Sequence, residues 1–148
     1  MAEQEFREET REEILKRVYE RALRNPFPMY NHIQISVVEQ DHVEVFVDLC
    51  NESMNVKGTV HGGLFFTMAD FCGATCARTD GREYSTMSAE VHYLKTAVSG
   101  RITARSSVIH RGRTTVLVGT DIYDEQERLL FKATLTMFCI GDRPTVNV

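Results

Sequence analysis

The sequence predicts an α+β domain in which a curved antiparallel sheet wraps around one long apolar helix, with a separate helix at the N-terminus. Three observations lead there. The stretch from Gly62 to about Thr79 is apolar on nearly every side, which marks a helix enclosed by protein rather than one lying on its surface. Two strand-like runs precede it and four follow. The later runs are separated by breaks short enough for tight antiparallel turns.

The elements follow in order. From Glu3 to about Arg24, Ile14, Leu15, Val18, Ala22 and Leu23 recur at three- and four-residue steps among Glu and Arg, which predicts an amphipathic helix. Pro26 and Pro28 should end it near Asn25, because proline disfavours helical geometry in the residue before it. His32 to Gln40 places Ile33, Ile35 and Val37 on one face, and Val43 to Leu49 places Val43, Val45, Val47 and Leu49 on one face. These read as a hairpin turning at Gln40 and Asp41. A polar loop from Asn51 to His61 leads into the central helix, which ends at a turn on Asp80 and Gly81. Strands are then expected at about 84–96, 101–110, 114–123 and 128–140, with turns at Ser99-Gly100, Arg111-Gly112 and Asp124-Glu125-Gln126. The division is an N-terminal helix and linker (1–29), the wrapped-helix domain (30–141) and a tail (142–148).

Bulk properties restrict the function. A chain of 148 residues with 43% hydrophobic and 26% charged content suits one globular domain, and a net charge of −4 argues against nucleic acid as a partner. The charged first residues hold no apolar run of the kind a secretory signal needs, and no stretch is long enough to span a bilayer. A cytoplasmic protein without a membrane partner is expected. Cys50, Cys72, Cys76 and Cys139 form neither a disulfide framework nor a close metal-knuckle spacing, so no metal is expected and the thiols read as small apolar side chains.

Asp70 is the one full charge between Gly62 and Ala77. Burying a carboxylate without partners costs several kcal/mol (on the order of 2 or more), so it must find hydrogen bonds, take up a proton or face a wet cleft. A structural aspartate would bond backbone or a hydroxyl such as Thr67 or Thr86; a functional one would be a general base or nucleophile. At the start of the same helix, His61-Gly62-Gly63 brings backbone N–H groups without intrahelical partners, and two glycines keep side chains clear of an approaching carbonyl or oxyanion.

Asn55-x-x-Gly58-x-x-His61-Gly62-Gly63, then Ala69-Asp70, then a strand ending Tyr93-Leu94-Lys95, resembles the signature of hotdog-fold acyl-CoA thioesterases of the PaaI type, over about residues 30 to 140. The resemblance implies that Asp70 is the catalytic carboxylate, that Gly62 is the backbone donor to the thioester carbonyl, and that Asn55 and His61 hold the carbonyl or the attacking water, with Gly63 beside them. It also implies a hydroxyl near the start of the strand after the helix, here Thr86 or Ser88, of which Thr86 is preferred by counting back from Tyr93. Active sites at dimer interfaces, often in a tetramer of two dimers, belong to the same expectation. Many relatives carry proline just after the Tyr-Leu-Lys position, where this chain has Lys95-Thr96-Ala97.

The expected substrate is therefore an acyl-CoA, with no cofactor beyond the coenzyme A that is part of it. Its anionic nucleotide calls for a local basic patch on an acidic protein, for which Arg111-Gly112-Arg113, with Lys95, Arg101 and Arg105, are the candidates. A non-catalytic acyl-CoA or lipid-binding module is the competing reading, disfavoured because a binder needs no carboxylate beside the thioester. A DNA-binding regulator would require a helix-turn-helix, which one amphipathic helix does not supply.

Overall fold

The computed structural model describes residues 6–142 and 145–147. The elements run β1 (Phe6–Glu8), α1 (Arg11–Ala22), α2 (Pro26–Tyr30), β2 (Gln34–Glu39), β3 (His42–Asp48), α3 (Gly62–Ala77), β4 (Glu83–Tyr93), β5 (Arg101–Arg111), β6 (Thr115–Tyr123), β7 (Leu129–Gly141) and β8 (Thr145–Asn147). Short 3-10 turns at Asn51–Ser53 and Arg78–Asp80 flank α3. Strands β2 to β7 form one antiparallel sheet in the order β2-β3-β5-β6-β7-β4. The wrapped-helix architecture expected from the sequence is present, and the four late strands fall within a few residues of their expected bounds.

Enclosure of α3 follows from its composition. Leu64, Phe65, Met68, Ala69, Phe71, Cys72, Cys76 and Ala77 are all buried, against the inward rows Val43, Val45 and Val47 of β3, Val116, Val118 and Ile122 of β6, and Leu135 and Met137 of β7. Gly73 marks a close approach to β7: a Cβ there would overlap Leu135 Cδ1, so the Leu135 side chain would have to move to admit one. Cys72 Sγ donates to the Val43 carbonyl (3.3 Å). Burial pushes the Cys72 and Cys76 thiols up to about 12, so both act as the small apolar residues expected. Among the described residues no helix is long and apolar enough to cross a membrane.

Three local expectations need correction. The N-terminal helix does not begin at Glu3. Phe6–Glu8 is a strand paired with Thr145–Asn147, and the helix starts after Thr10, where the Thr10 side chain accepts from the Glu13 N–H and the Glu13 carboxylate accepts from the Thr10 N–H; that reciprocal box fixes the boundary. Residues 3–5 and, in the expected tail, 143, 144 and 148 lie outside the described residues. Secondly, Pro26 and Pro28 do not merely stop α1. Proline is well suited to a first helical turn, where its missing N–H would have no partner, and Pro26 opens α2. Thirdly, Val37 does not share a face with Ile35. A bulge shifts the β2–β3 register between them, so that Ile35 lies opposite Val45, Val38 opposite Val43 and Val37 opposite Glu44; Val38, not Val37, joins the core.

The C-terminal end of α3 is held by a buried ionic cluster. Arg111 donates to the Ala77 carbonyl (2.9 Å) and pairs with Asp41 (2.6 Å) in the β2–β3 turn and with Asp80 (2.9 Å). Asp80 also accepts from Tyr84 Oη (2.8 Å) and from the Arg82 guanidinium (2.7 Å) and backbone N–H (2.9 Å). A cation on the last carbonyls of a helix complements its dipole, and the cluster ties α3, the hairpin turn, β4 and β5 together. Burial works to raise the Asp80 pKa, yet the hydrogen bonds from Arg82 and Tyr84 and the charge of Arg111 outweigh it and hold the carboxyl below its ordinary range.

Stabilisation from a depressed carboxyl is present above its unfolded pKa and is lost as pH falls through the folded value. Urea unfolding should therefore show stability declining below about pH 4. Asp80→Ala should remove about 3 kcal/mol at pH 7, because it leaves Arg111 and Arg82 short of a buried partner, and should flatten that acid decline. An Asp80→Ala protein with unchanged stability at pH 7 would contradict the role given to the cluster.

Candidate active site

Asp70 lies in the middle of α3 and is only partly buried. Its helix face carries Gly63, Thr67, Ala74 and Arg78 at three- and four-residue steps, and this is the face that α2 crosses. The cleft beside Asp70, about 450 Å³, has α3 as one wall, Tyr84, Ser85 and Thr86 of β4 as the other, and Asn25, Phe27 and Pro28 across the top.

Thr86 Oγ1 donates to Asp70 Oδ1 at 2.7 Å. Of the two hydroxyls considered for this strand, the structure brings Thr86 to the carboxylate and leaves Ser88 away from it. A bulge between Thr86 and Ser88 puts Thr86 opposite Met137, on the inward side of β7, and Ser88 opposite Thr136. Thr67, the other hydroxyl considered, donates instead to the Gly63 carbonyl (2.8 Å).

At the helix start the backbone donors are sorted by their partners. His61 is the N-cap, and its Nδ1 accepts from the Gly63 N–H at 2.8 Å. The His61 N–H donates to Ser53 O (2.9 Å) and the Leu64 N–H to His61 O (3.0 Å). Gly62 is left as the one residue at this terminus whose N–H finds no acceptor among the described residues. A Cβ on Gly62 would come within 3.2 Å of the Tyr93 ring, and Tyr93 Oη donates to the Gly62 carbonyl (3.3 Å).

Consecutive residues at this terminus open into different spaces. His61 and Gly63 line a cleft with Met29, Tyr30 and Leu64 that shares Phe27 and Thr67 with the Asp70 cleft. Gly62 faces a groove with Phe65, Tyr93 and Lys95. Asn55 is not directed at either. Its Oδ1 accepts from the Lys57 (2.9 Å) and Thr59 (3.3 Å) N–H groups, and its Nδ2 donates to Thr59 Oγ1 (2.9 Å), the pattern by which asparagine builds a turn. In this chain Asn55 shapes the loop that delivers His61.

The expected basic patch does not form as a unit. Arg111 is committed to Asp41, Asp80 and Ala77 and is mostly buried, so it corrects the expectation of a nucleotide contact; a phosphate could reach it only by displacing the clamp at the end of α3. The Gly112 and Arg113 carbonyls accept from Arg82 (3.2 and 2.7 Å), which makes the turn part of the same support. Arg101 pairs with Asp48 (2.7 Å) and Arg105 with Glu127 (2.6 Å). Lys95, of this set, lines the groove at Gly62. Among the described residues no group of three or more His, Cys, Asp or Glu is arranged to hold a metal.

The family model described as the Thioesterase superfamily matches residues 57–131, from the loop before α3 into β7. The chain belongs to this superfamily. A hypothetical thioesterase from Streptococcus pneumoniae TIGR4, solved with coenzyme A, is 31% identical, covers 77% of this chain and 90% of its own, and superposes with a TM-score of 0.74. A Streptococcus mutans UA159 protein solved bound to acetyl CoA is 29% identical, with 76% and 91% covered and a TM-score of 0.73. The Escherichia coli PaaI protein, from the phenylacetic acid degradation operon, shares the fold at a TM-score of 0.81 over 88% of this chain and 98% of its own, with 18% identity. The protein is a hotdog-fold thioesterase, as the resemblance implied.

Sequence reasoning missed two features of this thioesterase's cleft: α2 as its roof and Arg78 as a residue lining it. Asp70, Ala74 and Arg78 are spaced as neighbours on one helix face, a signal the sequence already carried.

Loss of the cap is measurable apart from activity. His61→Ala should cost about 1 kcal/mol of stability, the usual loss when an N-cap acceptor is removed, read by urea unfolding. A variant as stable as the wild type would show that the Gly63 N–H does not need His61.

Proposed function

We propose that this thioesterase hydrolyses acyl-CoA thioesters, with Asp70 acting on the thioester and the Gly62 N–H receiving its carbonyl oxygen. The observation that carries this is the Asp70–Thr86 pair, set in a cleft in a chain of this family. Thr86 engages Oδ1 and so leaves Oδ2 to act. In one course Oδ2 takes a proton from water, whose oxygen attacks the thioester carbon; in the other Oδ2 attacks directly and water then opens the resulting anhydride. Either way the carbon–sulfur bond breaks, coenzyme A leaves as the thiolate and the acyl group leaves as the acid. The thiolate is a good leaving group, so no strong general acid is required at sulfur. Coenzyme A in the two streptococcal relatives supports the substrate class. The Streptococcus pneumoniae protein has also been solved with an aspartate and, in another structure, a threonine 16 positions later replaced by alanine, the spacing of Asp70 and Thr86 here.

The reading requires two subunits. Gly62 and Asp70 lie eight residues apart on one helix, about 12 Å along its axis, so one thioester carbon cannot touch both groups of a single chain. Two chains related by a two-fold axis would place the Gly62 of one beside the Asp70 of the other. β4 supports this arrangement, since it is an edge strand of 11 residues with most of its side chains exposed, and an unpaired edge is a template for a second copy. Pairing of two such dimers completes the proposed assembly.

Asp70→Asn should keep the fold and lower kcat at least about a hundredfold, measured by thiol release from a panel of acyl-CoAs. A variant retaining more than half the wild-type rate would remove Asp70 from the mechanism. If wild-type protein binds acyl-CoA without releasing thiol, the chain is a binding module.

Sharing of the site is tested by co-expressing Asp70→Asn with Gly62→Pro, which removes the one donor at a position where proline suits a helix. Random pairing makes about half of the dimers mixed, each with one of two sites restored, so activity should return to about a quarter of wild type. No recovery from two folded, co-assembled variants would place the whole site within one chain.

A further inference from the structure

The cleft beside Asp70 continues along α3 past Ala74 to Arg78, two helical turns beyond the carboxylate, or about 12 Å by helix rise. The guanidinium meets the Tyr84 carbonyl, two residues before the Thr86 that holds Asp70, so both charges lie along the same stretch of β4. Between the two charges the cleft is lined by Phe71, Ala74 and Tyr84 and roofed by Phe27 and Pro28. It is a short passage of mixed lining, with Ala74 and Phe71 on its helix wall, Ser85 and Thr86 on its strand wall and a cation at its far end.

Arg78 is poorly matched by its own protein. Its Nη2 donates to the Tyr84 carbonyl (2.9 Å), whereas its Nε is buried and has no hydrogen-bond partner. The nearest carboxylate, Glu83, stands 3.6 Å away and is already shared with Arg17 and Arg21. Arg21 and Arg24 line the recess on the other side of Arg78, and among the described residues no further carboxylate pairs with this group. Burial, followed by the charge of Arg21, holds the Arg78 guanidinium below its ordinary pKa, as expected for a desolvated cation short of counter-charge. Fork-shaped donors of this kind bind a carboxylate better than any neutral group.

We infer that Arg78 is a specificity-determining residue, and that the cleft takes short acyl groups ending in a carboxylate, so that the substrates are half-thioesters of dicarboxylic acids with coenzyme A. The inference rests on Asp70 marking the thioester end of the cleft, as proposed above. The thioester carbonyl lies at Asp70, the methylene chain passes Ala74, and the distal carboxylate meets the part of the Arg78 guanidinium that lines the cleft. A neutral acyl group of the same length would occupy the passage and leave the guanidinium as unpaired as before, so discrimination comes from the cation rather than from shape.

The probes are glutaryl-CoA and pentanoyl-CoA, matched in length and differing in the terminal carboxylate. Wild-type kcat/KM should favour glutaryl-CoA by at least about tenfold. Arg78→Met should lose at least about ten times more activity on glutaryl-CoA than on pentanoyl-CoA, and Arg78→Lys, which keeps the charge but not the fork, should fall between them. Equal use of the two substrates by the wild type, or an unchanged ratio in a folded Arg78→Met protein, would overturn the assignment. Should Arg78→Met fail to fold, the wild-type preference and the Arg78→Lys ratio decide it. If neither thioester is cleaved, the hydrolase reading fails separately; both compounds are then stable ligands, and calorimetric titration of the wild type decides the pocket, with tighter glutaryl-CoA binding sustaining it and equal binding overturning it.

Discussion

The constraint on which this structure depends is that α3 has almost no face fit for water. Residues apolar around most of a helix's circumference must be covered on most sides, and a single antiparallel sheet can do so only by curling around the helix. The sheet therefore presents the long inward rows of β3, β6 and β7 to it. At Gly73 the helix packs directly against Leu135 of β7, with no room for a further side-chain atom unless Leu135 shifts.

A helix enclosed in this way has difficulty at its ends, where backbone groups lack intrahelical partners. At the C-terminus the chain answers with Arg111, anchored by Asp41 and Asp80. At the N-terminus it answers with His61 and the Ser53 carbonyl. The second answer is incomplete, since the Gly62 N–H is left over. An unpaired donor at the positive end of a helix suits a developing oxyanion, so the chemistry proposed for Gly62 comes from the same enclosure that builds the core.

The other opening in the wrapping lies along the face of Gly63, Thr67, Asp70, Ala74 and Arg78, which the sheet meets only through its edge strand β4 and beside which α2 lies. Charge is concentrated there because it is the only side of the helix where charge can be solvated or paired from outside. Asp70 is met by Thr86, and Arg78 is met only in part. The N-terminal segment therefore contributes to the site as the roof of the cleft, not as an appendage to the domain.

The sequence by itself determined the elements with strong local signals and the residue around which the site is argued. The apolar run from Gly62, the alternation of β3 and the turn residues between late strands are written in short windows, and Asp70 stands out as a charge without local company. Local windows also limited the reading. Val37 and Val38 exchanged roles because a bulge resets the alternation, and Thr86 rather than Ser88 meets Asp70 because of a second bulge, in β4. Phe6–Glu8 became a strand only because residues from the other end of the chain pair with it. Arg111 resembled a surface cation until folding placed two aspartates, 70 and 31 residues distant, beside it. In all but the hairpin bulge the deciding partner lies far away in the chain: periodicity specifies which face a residue occupies, while register and long-range contact, fixed only when the sheet closes on the helix, specify what that face meets.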